Sequence, residues 1–520
     1  MTEAEGGEFS KYLVPNMVTN VARTLLTALI GLMLVPFFIG ELGIGVYGIL
    51  PLATSVTAYV IIISDELTNA FSRSLIIALH RGDWDESNKV YTTTVIGLGK
   101  IVLMLVPVIV IISVASPYIF QTGPSSAAGV QLLFLMTLSS ALLLSFSACF
   151  NGIFTAYNKM YILYTARMAH ILLQVVLILL FFNMNGASLE MVGAAYAVSG
   201  VALFLVIWIA SKRLCPHLRI ERPRYDRTLL REMSSLGMWT ITSRLGLLMF
   251  IQASMVIVNI FMGAEEVAGF AIVANLISMT NTACMTITAA TAPFLFRSYA
   301  EGDMENVIKI SKVSMRFIGL FVAFPIAYLC IFSPQILVAW VGGEFSYLSQ
   351  MVVVMFLVQL AVCIASVLET IPILLIKMRP VAYLTLSVGA GNIIIAAVAV
   401  SFLGLETMGV AIVWTISMFV LNVLLYPYVI ARMTSLEWSA FLKPMIPGHI
   451  ALAACLAIGW VATQFFTLPT TWTAILGVFF IAYAVYFVAA LSLGMKRDDK
   501  DVLRSVMPAP LAKRIPRWLF

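Results

Sequence analysis

The chain has 520 residues, 61% of them hydrophobic and only 11% charged, with a mean hydropathy of +1.00 and a formal net charge of +6. Such a composition excludes a soluble globular protein, and the basic residues lie where an anionic leaflet would attract them, which excludes nucleic acid as the partner and points to membrane lipids. Six cysteines, Cys149, Cys215, Cys284, Cys330, Cys363 and Cys455, show no paired spacing, so free thiols are expected, with neither a disulfide framework nor a metal site.

The chain opens on MTEAEGGEFSKYLVPN, which is acidic and lacks the basic start and small-residue cleavage site of a secretory signal. The first apolar helix is therefore expected to serve as the targeting signal. Hydropathy predicts an all-α polytopic membrane protein with fourteen spans, at roughly 12–39, 46–79, 90–116, 129–156, 161–183, 191–211, 235–261, 267–296, 307–332, 347–376, 381–403, 409–431, 446–465 and 472–494.

Residues 1–211 are expected to form one six-helix bundle and residues 235–431 a second. Between them lies KRLCPHLRIERPRYDRTLLRE, with seven basic residues and two prolines, read as a basic cytoplasmic linker over 212–234. A weak repeat relates the halves: Arg23 stands 25 residues before Gly48, and Arg244 stands 25 residues before Gly269. The bundles would then be parallel repeats about an axis along the membrane normal. Residues 432–495 hold helices thirteen and fourteen, which have no counterpart in the repeat, and residues 496–520 form an amphipathic or disordered tail ending in Trp518, Leu519 and Phe520.

Charge is segregated by loop. Not one of the 31 lysines and arginines lies in the alternate loops near 40–45, 117–128, 184–190, 262–266, 333–346, 404–408 and 466–471, whereas Glu41, Glu190, Glu265, Glu266, Glu344 and Glu406 do. Short loops rich in Lys and Arg stay in the cytoplasm, so both termini are expected inside a cell (inner or plasma) membrane and the acidic loops outside.

Ionisable residues inside spans are costly and normally face a bundle interior or a watery cavity. Five are basic: Arg23, Lys100, Arg167, Arg244 and Arg316. All stand on odd-numbered helices at one level, roughly 24 to 28 Å below the outer surface at 1.5 Å per residue. Asn16, Asn20 and Arg23 share a helical face, as do Arg167, His170 and Gln174, and Thr93 stands two turns from Lys100. These stripes are expected to meet inside the protein. The alternative is a set of snorkelling anchors reaching back to the headgroups, the preferred account of Arg316 beside Lys309 and Lys312. The acids Asp65, Glu66 and Glu369 are candidates for coupling to H+ or Na+; Glu66 and Arg73, bridged by Asn69, are equally read as a structural pair. Pro36, Pro51, Pro107, Pro293, Pro325, Pro372 and Pro427 mark bends.

Fourteen spans, a first helix bearing Asn and Arg followed by "GELGIGVYG" at 40–48, and a restart with Arg244 and "GAEEVAG" at 263–269 resemble the polysaccharide flippases of Wzx type. These form a family of the multidrug, oligosaccharidyl-lipid and polysaccharide exporter superfamily. The resemblance implies a V-shaped pair of six-helix bundles plus two extra helices, working by alternating access. A cationic central cavity would receive the diphosphate and sugar of a polyprenyl-linked oligosaccharide, such as an O-antigen, capsule or exopolysaccharide repeat unit. Arg23 and Arg244 match the basic positions of the first helix in each half; Lys100 and Arg167 are assigned by level alone. The implied partners are the lipid-linked oligosaccharide, membrane lipids, and polysaccharide polymerase and chain-length proteins, with no cofactor.

Two other readings stay open. A cation-coupled multidrug exporter of the same superfamily should show twelve spans and carboxylates in its cavity, whereas the first helix here carries Arg23 and no acid within its apolar span. An oligosaccharide polymerase or ligase should carry a sizeable outer loop with His, Arg or acidic groups. The outer connections here run to about a dozen residues with no basic side chain, and no P-loop, metal cluster or nucleophile–base set appears, so the chain is read as a non-enzyme.

Overall fold

The computed structural model describes residues 3–500, with the side chains of 3–11, 13, 63–67, 69–70, 232 and 234–237 outside that description. Among the described residues, fourteen helices are long and apolar enough to cross a membrane. They are α1 (Glu3–Leu42), α2 (Ile49–His80), α3 (Trp84–Ile119), α4 (Ala127–Ala156), α5 (Met160–Asn185), α6 (Leu189–Leu214) and α7 (Arg227–Met262). The remaining seven are α8 (Ala264–Ala300), α9 (Met304–Ile331), α10 (Gly343–Leu374), α11 (Arg379–Ser401), α12 (Thr407–Met433), α13 (Trp438–Phe465) and α14 (Trp472–Gly494). The fold is all-α, as hydropathy predicts. Asp65, Glu66 and Asn69 lie outside the described side chains, as do Trp518, Leu519 and Phe520, which belong to the unshown 501–520.

The chain forms two compact units, Met1–Ala271 and Ile272–Phe520. In the first, α4 packs against α2, α3 and α6, and α5 packs against α1 and α6. A core of Phe71, Leu75, Tyr91, Phe150, Phe154 and Ile207 fills the basic end of this unit. Helix α7 also lies here, packed on α2 and α3. The sequence had placed it with the second bundle because the linker ends before it, yet packing groups it with the first.

In the second unit α9 carries α10, α13 and α14. A Cβ on Gly448 of α13 would lie 2.8 Å from the Gly319 Cα of α9, so both positions must be bare for the backbones to approach this closely, the usual device where lipid removes the hydrophobic drive for helix association. On α14, Phe479, Tyr483 and Phe487 interleave with Phe321, Phe324 and Tyr328 of α9. Arg316 is no snorkelling anchor: its Nη1 stands 2.5 Å from Oδ2 of the buried Asp499, which fastens the segment after α14 onto α9.

The basic linker is shorter than 212–234. Helix α6 runs to Leu214 and α7 starts at Arg227, because Asp226 caps α7 by accepting from the amides of Thr228 (2.7 Å) and Leu229 (3.1 Å). Hydropathy missed this first turn because it is charged. What remains lies along α3: the Arg219 amide donates to Asn88 Oδ1 (2.8 Å), Glu221 to Thr92 Oγ1 (3.1 Å) and Asp226 to Thr93 Oγ1 (3.1 Å). Ion pairs Lys89–Asp226 (2.9 Å) and Arg224–Asp85 (2.7 Å) clamp it.

The Lys89 ammonium, together with the Leu229 and Thr228 amides, holds the Asp226 carboxyl below the usual range. A depressed folded-state value means that its contribution is complete above the unfolded value of about 3.9 and is lost as pH falls through the lower one. Amide protection at Arg219 and Asp226 should therefore weaken only below pH ~4, and Asp226→Asn should remove that dependence. Protection equally pH-dependent in the variant would contradict the clamp.

Several spans are broken. Helix α10 tightens to a 3₁₀ turn over Ser366–Glu369, and α12 widens to a π turn over Val420–Leu425 just before Pro427. Pro427 removes a backbone donor, and a π turn is one way for the preceding carbonyls to relax around it.

Candidate functional site

The basic-end junction of α1 and α5 collects the polar residues that sequence spacing singled out. Asn16 Nδ2 donates to both the carbonyl and Oδ1 of Asn158 at 2.9 Å, while its Oδ1 accepts from the Tyr161 amide at 2.7 Å. Asn158 adopts φ 51°, a left-handed conformation that Asn tolerates, and the turn before α5 is thereby pinned to α1. Asn16 thus positions helices. It has no donor left for a ligand, because both amide bonds go to Asn158.

One turn further along α1, Asn20 Oδ1 accepts from Arg23 Nη2 at 3.2 Å. The Arg23 guanidinium lies over the ring of Tyr164 on α5, 5.6 Å from its centroid. Sequence reasoning passed over Tyr164, although it stands three residues before Arg167 and continues that stripe by one turn. Arg167 and His170 follow it along α5, both half-buried.

Two buried polar atoms at this junction have no hydrogen-bond partner among the described residues: Arg23 Nε and His170 Nε2. Leaving such an atom unsatisfied typically costs about 1–3 kcal/mol, and more where the group is charged. An anion reaching this face would receive charge-assisted bonds from a guanidinium already oriented by Asn20 and Tyr164.

The remaining predicted residues sit elsewhere. Lys100 is exposed on α3, with Nζ 4.0 Å from the ring centroid of Tyr225 in the linker. The Thr93–Lys100 stripe therefore meets the linker, and the expectation that it faces another polar stripe fails there: a docked hydrophilic strap was invisible to helical periodicity. Arg244 is half-buried on α7. Glu369 is half-buried at the 3₁₀ turn of α10.

That turn ends a polar seam between α8 and α10 which no sequence motif announced. Gln359 Nε2 donates to Asn281 Oδ1 (2.6 Å), Cys284 and Cys363 sulfurs stand 2.7 Å apart, and the Thr288 and Ser366 hydroxyls are 2.8 Å apart. The spacing of 281, 284 and 288 is helical, so a stripe search on α8 would have found half of it. All six cysteines are free, five of them buried.

A model of the polysaccharide biosynthesis protein family matches residues 13–299, more than half of the chain and the whole of the α1/α5 junction. The chain belongs to that family. It is 22% identical over 497 residues, covering 94% of this chain and 96% of the relative, to "Uncharacterized membrane protein EpsK" of Bacillus subtilis (strain 168).

Two solved structures share the fold. One is an inward-facing multidrug resistance MATE family transporter of the MOP superfamily, with TM-score 0.65, 16% identity, and 83% of this chain and 95% of that one covered. The other is the lipid II flippase MurJ in an inward closed conformation, with TM-score 0.64, 14% identity, and 91% and 98% covered. The family match and the likeness to these two structures agree on a fold of fourteen apolar helices.

Proposed function

We propose that the protein flips a polyprenyl-diphosphate-linked oligosaccharide from the cytoplasmic to the outer leaflet by alternating access. The observation that carries this is the Arg23 guanidinium, set between Asn20 and Tyr164 with its buried Nε unpaired among the described residues. A pyrophosphate headgroup cannot cross hydrocarbon unaided, and guanidinium binds phosphate oxygens in bidentate fashion. Arg167 and His170 extend the same face, and Arg244 on α7 matches Arg23 in the sequence repeat. Lys100 would meet the anion earlier, from beneath the linker. The isoprenoid tail remains in the bilayer throughout.

The decisive contrast is between an anionic and a cationic passenger. Purified protein should bind a polyprenyl diphosphate in competition with inorganic diphosphate, and Arg23→Ala should weaken that binding at least about tenfold. Preferential binding of a quaternary ammonium dye would instead support the multidrug exporter. Energy coupling has two open sources, H+ or Na+ exchanged at Glu369, Asp65 or Glu66, and the membrane potential acting alone on the anionic headgroup; if Glu369 carries the ion, Glu369→Gln should make flipping insensitive to an imposed ion gradient, and an undiminished response would remove Glu369 from that role.

The basic loops and both termini are assigned to the cytoplasm. A cysteine at the exposed Ala128, in a background with the half-buried Cys455 replaced by serine, should react with an impermeant thiol reagent from outside intact cells. Labelling only after permeabilisation would invert the topology.

A further inference from the structure

Next to the α1/α5 junction, α5 and α6 hold a groove of about 440 Å³ at their basic ends. Lys159, in the turn before α5, and Arg213, in the last turn of α6, stand at its rim. Ile162, Val206, Ile209, Ala210 and Leu214 form an apolar wall beside Tyr161, and among the described residues the lining contains no carboxylate. Val206 and Ile209 are 50% and 44% exposed, and the same face of α6 continues outward through the exposed Val198, Val201 and Leu205. Two cations therefore cap a strip of exposed hydrocarbon that runs along the helix.

A soluble anion such as free phosphate would use the cations and leave the strip uncovered, and a neutral lipid would do the reverse. An amphiphile with a negative head and a long chain matches both. We propose that this groove binds one anionic phospholipid, its phosphate between Lys159 and Arg213 and an acyl chain against Val206 and Ile209. Basic pockets between spanning helices on the cytoplasmic side are places where anionic headgroups gather; which leaflet supplies the lipid rests on the orientation proposed above, while the groove itself does not.

The site also bears on transport. Lys159 adjoins Asn158, which Asn16 of α1 grips through two hydrogen bonds, and the Lys159 ammonium lies 5.7 Å from the ring centroid of Tyr12, itself stacked on Tyr161. A lipid held here would brace the turn that fixes α5 against α1, and with it the position of Arg23.

The test uses the full chain in detergent, with phosphatidylglycerol and phosphatidylcholine as probes, read by native mass spectrometry and thermal unfolding. Wild type should retain one phosphatidylglycerol and gain thermal stability from it but not from phosphatidylcholine. Lys159→Gln with Arg213→Gln should bind it at least tenfold more weakly, whereas Lys377→Gln with Lys443→Gln, both exposed on the other unit, should bind as wild type does. Ile209→Trp, which fills the groove and keeps both charges, should also displace the lipid and serves if the double variant is misfolded. Undiminished binding in both groove variants, or equal loss in the Lys377/Lys443 control, would overturn the proposal. Displacement of the phospholipid from this groove by a polyprenyl diphosphate would overturn it in favour of the substrate. Arg23→Glu should leave phosphatidylglycerol binding intact, so failure of the flippase assignment remains distinguishable.

Discussion

Arg23→Glu should abolish export of the lipid-linked oligosaccharide while leaving membrane insertion and yield unchanged. The substitution replaces the donor facing the expected phosphate with a carboxylate, so attraction becomes repulsion in a setting where bulk water screens poorly. Simple removal is milder. A hydrogen bond to a charged group is worth about 1.5–3 kcal/mol, so Arg23→Ala should lower transport by roughly one to two orders of magnitude. Arg23→Lys should fall between, since lysine keeps the charge but loses the planar fork and much of the stacking on Tyr164. Asn16→Ala is the informative comparison. It breaks three bonds that tie α1 to the turn before α5, so its loss should appear first as lowered thermal stability.

Gly48→Val should be among the most destabilising single substitutions in the chain. A Cβ at this position would overlap the Ala264 carbonyl oxygen, and that backbone atom cannot move aside as a side chain would. Overpacking of this kind costs about 1–3 kcal/mol or more, which in a detergent-solubilised preparation should appear as a fall in unfolding temperature and in the yield of monodisperse protein. Gly40→Ala, eight residues earlier with nothing within 4 Å of the added carbon, should be nearly silent. Equal behaviour of the two variants would contradict the close approach of α2 to the start of α8.

These two positions show what the sequence made legible. The "GVYG" segment was recognised as a family mark, but its physical reason, a backbone crossing that admits no side chain, needed the partner residue Ala264, more than two hundred positions away. The fourteen spans were readable because a helix in hydrocarbon must be apolar over about 20 residues, a strong and local constraint. Arg23, Asn20, Arg167 and His170 were readable for the converse reason, since polar residues at helical spacing inside a span are conspicuous. Tyr164 was not, because an aromatic residue in a span is unremarkable until a guanidinium is found over it.

Elsewhere periodicity misled. The Thr93–Lys100 stripe has the spacing of an internal polar face, yet the linker supplies its partners, and hydrogen bonding between a strap and a helix leaves no periodic trace in the strap. Arg316 reads as a headgroup anchor because Lys309 and Lys312 stand beside it in sequence, whereas its partner Asp499 lies 183 residues later. The α8–α10 seam escaped because Cys, Thr and Ser pass as apolar or neutral in a hydropathy scan, although each pairs across the interface.

Flipping in reconstituted vesicles is the most direct measurement of whether the cation on α1 receives the diphosphate of a lipid-linked sugar. Wild-type protein should render an inner-leaflet polyprenyl-diphosphate oligosaccharide accessible to an external lectin or enzyme, and Arg23→Glu, present at the same density, should not. Equal rates for the two proteins, or transport of a cationic dye with the diphosphate lipid left in place, would contradict the account.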